Sequence, residues 1–195
     1  MRTTAQKIDA GQLRDLVEVL RLDQVEQGYL WTPIGSIRAE ATLSDKSNYF
    51  ARSGVGARDV GFVLRHRPAL SLDNALRWRG PQGWEHCMIT SITPIDRLYD
   101  SVRCARVRLR DCLAEANHTP PGPRFPGVLA EKYVRHEQLD PLAVNIITYV
   151  LVTPKAVELK RGSIVTVDGV AYEVQVGHLL DEWKNEFEIM KVVDL

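Results

Sequence analysis

The segment Ser36–Leu43 alternates between apolar and polar side chains over its whole length. Ile37, Ala39, Ala41 and Leu43 share one side, and the residues between them are polar or charged. A period of two with one apolar side is typical of a half-buried β-strand, whereas apolar positions in a helix recur every three to four residues. The segment therefore predicts a strand.

Other segments have the same character, because they are short, rich in β-branched residues and bounded by turn residues. They predict strands at Leu16–Leu22, Val60–Arg65, Asp73–Trp78, Trp84–Ile92, Ser101–Leu109, Val144–Val152, Ser163–Val167, Ala171–Val176 and Glu186–Val193. The alternation slips near Ala105, as a β-bulge would allow. Asp168-Gly169 is the strongest hairpin signal. This spacing predicts a mainly β fold, either a small barrel or a sandwich.

Two short helices are expected among these strands. Ser44 or Asp45 is a suitable N-cap for a helix near Lys46–Arg52. A second helix could cover Val128–Gln138, where Leu129 and Tyr133 fall on roughly one side.

The chain divides most simply into two modules. Asn117–Gly127 contains four prolines and two glycines, which disfavour both helix and sheet. We therefore expect a β module over 1–116, a linker over 117–127 and a smaller β module over 128–195. The 195-residue length is compatible with one large or two small domains.

The two modules also resemble each other. Phe62-Val63-Leu64 is similar to Tyr149-Val150-Leu151, and Asp96 is similar to Asp181. The separations are 87 and 85 residues, so they are nearly constant. Two interpretations stay open: a partial duplication of one β meander, or hairpins that are alike only in composition.

Charge argues against a nucleic-acid-binding protein that works by neutralising phosphates. The chain has 25 basic and 25 acidic residues, whereas such proteins usually carry a basic surplus. Residues 1–116 carry 17 basic and 14 acidic side chains, and the remainder carries 8 and 11. This asymmetry could support head-to-tail stacking of subunits.

The cysteines and the apolar segments indicate the compartment. Cys87, Cys104 and Cys112 have no paired spacing, which favours buried free thiols in a reducing compartment. The longest charge-free stretch, Pro141–Pro154, is too short to span a bilayer, and the first residues have no apolar core of a secretory signal. We expect a soluble protein made in a cytoplasm.

The sequence contains no arrangement that calls for catalysis, a metal or a cofactor. The five histidines lack metal-ligand spacing, and His86 and Cys87 point to opposite sides of one strand. The carboxylates of Asp181–Glu188 could form a paired site, but a solvated turn is the favoured interpretation. We predict a protein that is not an enzyme.

Arginines and tryptophans are the remaining candidate contact residues. Arg106, Arg108 and Arg110 are expected to share one strand face, together with nearby Arg103. A solvated strand edge protected by charge is favoured over a face for DNA or an acidic partner. Four tryptophans are expected to pack in the core or at edges, some of them as interface anchors: Trp31, Trp78, Trp84 and Trp183.

The first module contains a series of short motifs in a fixed order: Ala10-Gly11-Gln12-Leu13-Arg14, Val17-Glu18-Val19, Trp31, Ile37-Arg38-Ala39-Glu40, Tyr49-Phe50-Ala51, Phe62-Val63-Leu64-Arg65, Trp84, Ile89-Thr90-Ser91-Ile92 and Asp96. The order of these motifs resembles the head–tail joining (head closure, or stopper) family of tailed bacteriophages. The resemblance covers roughly residues 7–110 and departs from the family at Arg79–Gly83 and in the whole second module.

This resemblance implies a structural virion protein of the phage neck, assembled in the bacterial host cytoplasm. Subunits would form a sixfold or twelvefold ring between portal and adaptor proteins on one side and tail-terminator or tail-tube proteins on the other. The segment Ser44–Asp59 would reach into the channel and retain packaged double-stranded DNA. The implied gating residues are Ser44, Lys46, Asn48, Arg52, Gly54, Gly56 and Arg58. The expected interface residues are Leu13, Arg14, Trp31, Arg106, Arg108 and Trp183.

Three alternatives follow the neck protein in order. The first is a tail-terminator or tail-completion protein of the same virion. The second is an enzyme or ligand-binding β-barrel that uses the Asp181–Glu188 carboxylates. The third is a nucleic-acid-binding module that uses the arginine strand.

Overall fold

The computed structural model describes residues 10–43, 59–81, 83–115, 122–132 and 148–192. These residues form β-strands and turns, with one 3-10 turn at Ala10–Gln12, which confirms the predicted mainly β fold. The strands are β1 (Asp15–Val25), β2 (Gly28–Leu43), β3 (Asp59–Arg65), β4 (Ala75–Gly80), β5 (Gly83–Pro94), β6 (Tyr99–Val107), β7 (Arg110–Glu115), β8 (Arg124–Lys132), β9 (Thr148–Pro154), β10 (Ile164–Val167), β11 (Val170–His178) and β12 (Lys184–Lys191).

The twelve described strands belong to one sheet with the order β1-β4-β5-β6-β3-β2-β8-β7-β10-β11-β12-β9. The terminal strands β1 and β9 do not pair with each other, so the twelve-stranded sheet as a whole is not closed into a barrel, one of the two architectures expected from the sequence. Additional pairings join β1 to β2 and β9 to β8. Each described strand consequently has a paired neighbour on both sides over part of its length.

The first half (β1–β6) and the second half (β7–β12) have the same pattern of strand pairing. In each half the first strand pairs with the second and fourth, the third pairs with the second and sixth, and the fifth pairs with the fourth and sixth. The fifth and sixth strands shift register at matching places, between Ile89 and Ser91 and between Val174 and Val176. The bulge predicted near Ala105 therefore lies in β5, opposite β6.

The border between the halves differs from the predicted module boundary. β7 pairs with β8 and β10, so the second half begins at Arg110 rather than after residue 116. Arg124–Gly127, predicted as linker, and Val128–Lys132, predicted as helix, both belong to strand β8. The reason is burial of both faces of this strand, since Phe125 on one face and Val128 on the other are both withdrawn from solvent and pack in different apolar clusters. The helix predicted near Lys46–Arg52 lies outside the described residues.

Each half has its own apolar core, and a third cluster joins them. The first core contains Val17, Ile37, Ala39, Val60, Phe62, Leu64, Leu76, Trp78, Cys87, Ile89, Val102 and Cys104. The second contains Cys112, Phe125, Leu151, Val165, Val167, Tyr172, Val174, Phe187 and Ile189. The third combines Met88 of the first half with Val128, Val150 and Val152 of the second.

The predicted Asp168-Gly169 hairpin is confirmed between β10 and β11. Both residues adopt positive φ, 48° and 83°, as the turn of a tight hairpin requires. Among the described residues, no helix has the length and apolar character needed to cross a membrane.

Candidate functional site

The junction between the halves is the largest apolar contact outside the two cores. On the first half, Leu20, Ala75, Met88 and Ala105 are buried although they point away from the first core. Met88 packs with Val128, Val150 and Val152, and Val107, Leu109 and Trp183 lie against this cluster. The contact therefore uses the outward face of β4, β5 and β6 and the outward face of β8 and β9.

An open groove of about 900 Å³ runs along one side of this junction. The rings of Trp31 and His86 pack with centroids 5.3 Å apart, and the exposed ring of Trp84 lies under the Arg77 guanidinium. Burial and, to a smaller extent, the positive charge of Arg77 together lower the pKa of the His86 imidazole to about 4. The site thus combines aromatic surface with a histidine that stays neutral.

Three of the predicted interface residues meet in this groove: Trp31, Arg106 and Arg108. Arg106 is not on a solvated edge, because its guanidinium forms an ion pair with Glu85 at 3.1 Å. The prediction that Arg106, Arg108 and Arg110 share a strand face is wrong. β6 ends at Val107, and Arg110 belongs to β7, where it pairs with Asp168 at 2.7 Å.

The other predicted interface residues are divided between two places. Trp183 lines a second junction cavity together with Trp31 and Met88. Leu13 is buried and offers little surface. Arg14 lies beside it, and its carbonyl accepts a hydrogen bond from Arg38 Nη1 at 2.9 Å.

An arginine-rich surface that sequence reasoning missed lies at the free end of the first half. Arg38, Arg65 and Arg67 line one open cavity of about 640 Å³, together with the apolar side chain of Leu16. Arg67 Nη2 donates to the carbonyl of Ser36 at 3.2 Å. Within the described part of the chain, none of these three arginines forms an ion pair with a carboxylate, so the surface keeps its positive charge. Strand alternation places Arg38 and Arg65 outward, but only the pairing of β2 with β3 brings them together.

The opposite end of the molecule, formed by the second half, carries exposed apolar residues. Met190 and Val192 are each 38% exposed, and Ile164 beside them in the sheet is half-buried. Glu173 of β11 pairs with both Ile164 and Met190 in register. This end is therefore rich in exposed apolar side chains and also carries the acidic side chain of Glu173.

Three of the carboxylates considered for a catalytic site, Asp181, Glu186 and Glu188, lie against a lysine or histidine side chain. Lys184 forms ion pairs with Asp181 and Glu186, and Glu188 lies 3.1 Å from His178. No group of three histidine, cysteine or carboxylate side chains within the described ranges could hold a metal ion. These carboxylates therefore resemble a surface ion-pair network more than a paired acid–base site.

The thiols have no accessible chemistry either. Cys87, Cys104 and Cys112 are free and buried, as predicted. Burial raises the pKa of both Cys87 and Cys112 to about 12, and it raises the pKa of Cys104 as well. Cys87 points into the first core while His86 faces Trp31, so the two adjacent residues lie on opposite sides of β5 as expected.

The implied channel residues lie outside the described part of the chain: Ser44, Lys46, Asn48, Arg52, Gly54, Gly56 and Arg58. Comparison of the chain with protein families, with characterised proteins and with solved structures found no match.

Proposed function

We propose that the chain is a non-enzymatic structural subunit that acts by binding copies of itself and other proteins. The observation that carries this proposal is the exposure of large apolar side chains on two matching turns. Leu98, on the turn from β5 to β6, is 67% exposed, and Leu180, on the turn from β11 to β12, is fully exposed. Ile95 beside Leu98 and Leu179 beside Leu180 are also exposed, so each turn presents more than one apolar side chain to solvent, and contiguous exposed apolar surface marks interaction sites.

The proposed setting is the neck of a tailed bacteriophage. The resemblance of the first module to head–tail joining proteins supports it, and the motifs of that resemblance that are described fall in or beside β1, β2, β3 and β5. In this proposal a ring of subunits lies between portal–adaptor and tail and retains packaged DNA. Zero formal net charge supports a channel wall along which DNA slides without tight phosphate binding.

Binding to neck components tests this function. Purified protein is mixed with portal–adaptor complexes, and co-sedimentation is followed by electron microscopy of the complexes. We expect an added ring of density below the adaptor. The variant Leu180→Asp should weaken attachment if the β11–β12 turn contacts a neighbouring protein, whereas Lys160→Asp, a change on the exposed loop between β9 and β10, should not. Persistent failure of the wild-type protein to bind any neck component would remove this proposal.

A tail-terminator or tail-completion role is the second candidate. The two unlike ends of the molecule, one rich in arginine and the other apolar, favour a subunit with different neighbours above and below. A density map of the assembled neck would distinguish the two roles, because a terminator contacts the tail tube directly. The enzyme alternative ranks lower, since its carboxylates are engaged by Lys184 and His178.

A further inference from the structure

The common pairing pattern assigns each strand residue of the first half a counterpart in the second. Phe62 and Leu151 each pair with a buried residue of the sixth strand, Val102 and Phe187 respectively. The same register places Val63 with Val152, Arg65 with Pro154, and Leu98 with Trp183. It also places Ala75 with Ile164, Met88 with Glu173, Ala105 with Met190 and Val107 with Val192.

Phe62 and Leu151 lie in the cores. Each of the other pairs has only one member at the contact between the halves. On the first half, it buries Ala75, Met88 and Ala105. On the second half, it uses Val152, Pro154 and Trp183. The contact is therefore head to tail: a face of one half covers a different face of the other.

Each half therefore has a face that the junction leaves uncovered. That face is the counterpart of the one that the other half presents to the junction. We call these the arginine face (Arg38, Glu40, Val63, Arg65, Leu98 and Arg103) and the methionine face (Ile164, Glu173, Met190 and Val192). Leu98 occupies the position at which Trp183 packs on the junction, yet it is 67% exposed. Met190 and Val192 occupy the positions of Ala105 and Val107, which lie at the junction.

We infer that a second copy of this chain docks with its methionine face on the arginine face, repeating between molecules the contact seen between the two halves. The inference rests on the proposed self-association but not on a place in a phage neck. Its direct support is that the two faces are the counterparts of the faces that already form the apolar contact between the halves.

Charge complementarity supports the same partner. Pro154 and Met88 line one junction cavity, and their counterparts are Arg65 and Glu173. Docking in the same geometry brings both Arg65 and Glu40 of one copy towards Glu173 of the next, on a face where Arg38, Arg65 and Arg103 outnumber the carboxylate of Glu40. The two halves differ in net charge in the same sense as the two faces. Residues 1–109 carry 16 basic and 12 acidic side chains, whereas residues 110–195 carry 9 basic and 13 acidic side chains. Opposite potentials on two docking faces steer association and set its register.

The path of the chain is also compatible with this contact. Val107 is followed by Leu109 as the chain passes from the first half to the second, and the counterparts of these residues are Val192 and Arg14. Val192 of one copy would then lie near Arg14 of the next. A contact between two different faces generates a ring when the rotation closes and a filament when it does not.

A charge swap tests the contact on the full-length protein. Sedimentation velocity over a range of protein concentrations gives the association constant of wild type, Arg65→Glu, Glu173→Arg and the double variant. We expect each single variant to weaken association about tenfold or more and the double variant to recover most of the loss. Arg79→Glu makes the same charge change on the exposed end of β4 and serves as the matched control. Circular dichroism and thermal unfolding establish that each variant folds.

The outcomes separate this inference from the proposed function. If the wild-type protein associates but Arg65→Glu and Glu173→Arg behave like Arg79→Glu, the assigned faces are wrong and self-association stands. If both single variants dissociate and the double variant does not recover, Arg65 and Glu173 are not neighbours and the assigned docking is again wrong. A wild-type protein that stays monomeric at every concentration, alone and with neck components, overturns both.

Discussion

Gly28 in β2 pairs with Arg124 in β8, and this parallel residue pair links the backbones of the two halves. The amide of Arg124 donates to the carbonyl of Gln27 at 2.8 Å beside it. Gly28 has a φ of 144°, and a Cβ at this position would lie only 1.9 Å from the Arg124 carbonyl oxygen. The close approach of the halves therefore depends on the absence of a side chain.

We expect Gly28→Ala to destabilise the fold by roughly 3 kcal/mol, because the methyl group collides with backbone and the φ value is unfavourable for alanine. Urea unfolding measures the loss. Gly35→Ala in the same strand is the control, since a Cβ there meets nothing within 4 Å. Equal stability of the two variants would show that the Gly28–Arg124 approach is not as close as described.

The buried imidazole of His86 predicts a pH dependence of stability. Its pKa falls from 6.5 to about 4 on folding, so between these values the unfolded chain binds more protons than the folded one. Stability should be complete above about pH 6.5 and decline as the pH falls towards 4, by up to about 3 kcal/mol at about 1.4 kcal/mol per pKa unit.

The free energy of unfolding, measured against pH for the wild type and for His86→Gln, checks this expectation. All other ionisable groups are the same in the two proteins, so the difference between the two curves reports His86. Parallel curves between pH 4 and 6.5 would mean that the imidazole is not buried as described.

The separate cores predict that mutations in different halves have additive effects on the free energy of unfolding. Phe62 and Leu151 occupy matching positions but belong to different clusters. We expect Phe62→Ala and Leu151→Ala each to cost about 2–5 kcal/mol because each leaves a cavity. Since distant sites usually add within about 0.5 kcal/mol, the double variant should lose the sum. A larger coupling in chemical denaturation would indicate that the two cores act as one.

The buried thiols predict slow alkylation of the folded protein. A rise in pKa from 9.0 to about 12 for Cys87 and Cys112 lowers the thiolate fraction at pH 8 on the order of a thousandfold. Iodoacetamide labelling followed by mass spectrometry should leave the native protein unmodified while the urea-unfolded protein takes up three labels. Rapid labelling of one cysteine in the native state would identify a thiol that is accessible.

Alternation in the sequence predicted the strands with one exposed side. Ser36–Leu43 and Val60–Arg65 are examples, because their inner and outer residues differ in polarity. It failed for β8, where Pro126 and Gly127 conceal the pattern: Gly127 faces the second core so closely that a Cβ would lie 2.8 Å from Cys112 Sγ. Composition alone cannot show that this glycine is a tightly packed strand residue.

Repetition between the halves was visible in the sequence, but its register was not. Phe62 was matched with Tyr149, whereas strand pairing matches it with Leu151. β9 is buried on both sides, since Val150 and Val152 face the first half while Leu151 faces the second core. An apolar run of this kind has no period that fixes its register. The arginine face was missed for a related reason, because it depends on which strands are neighbours.

Because β1 also pairs with β2 and β9 also pairs with β8, every described strand has a hydrogen-bonded neighbour on both of its sides over part of its length. A row of unsatisfied amides and carbonyls would let another chain add itself as a further strand, which is a common start of irreversible aggregation. In the proposed contact, neighbouring molecules would therefore meet through side chains. Subunits held in that way could be exchanged or released intact, without the unpairing of a strand.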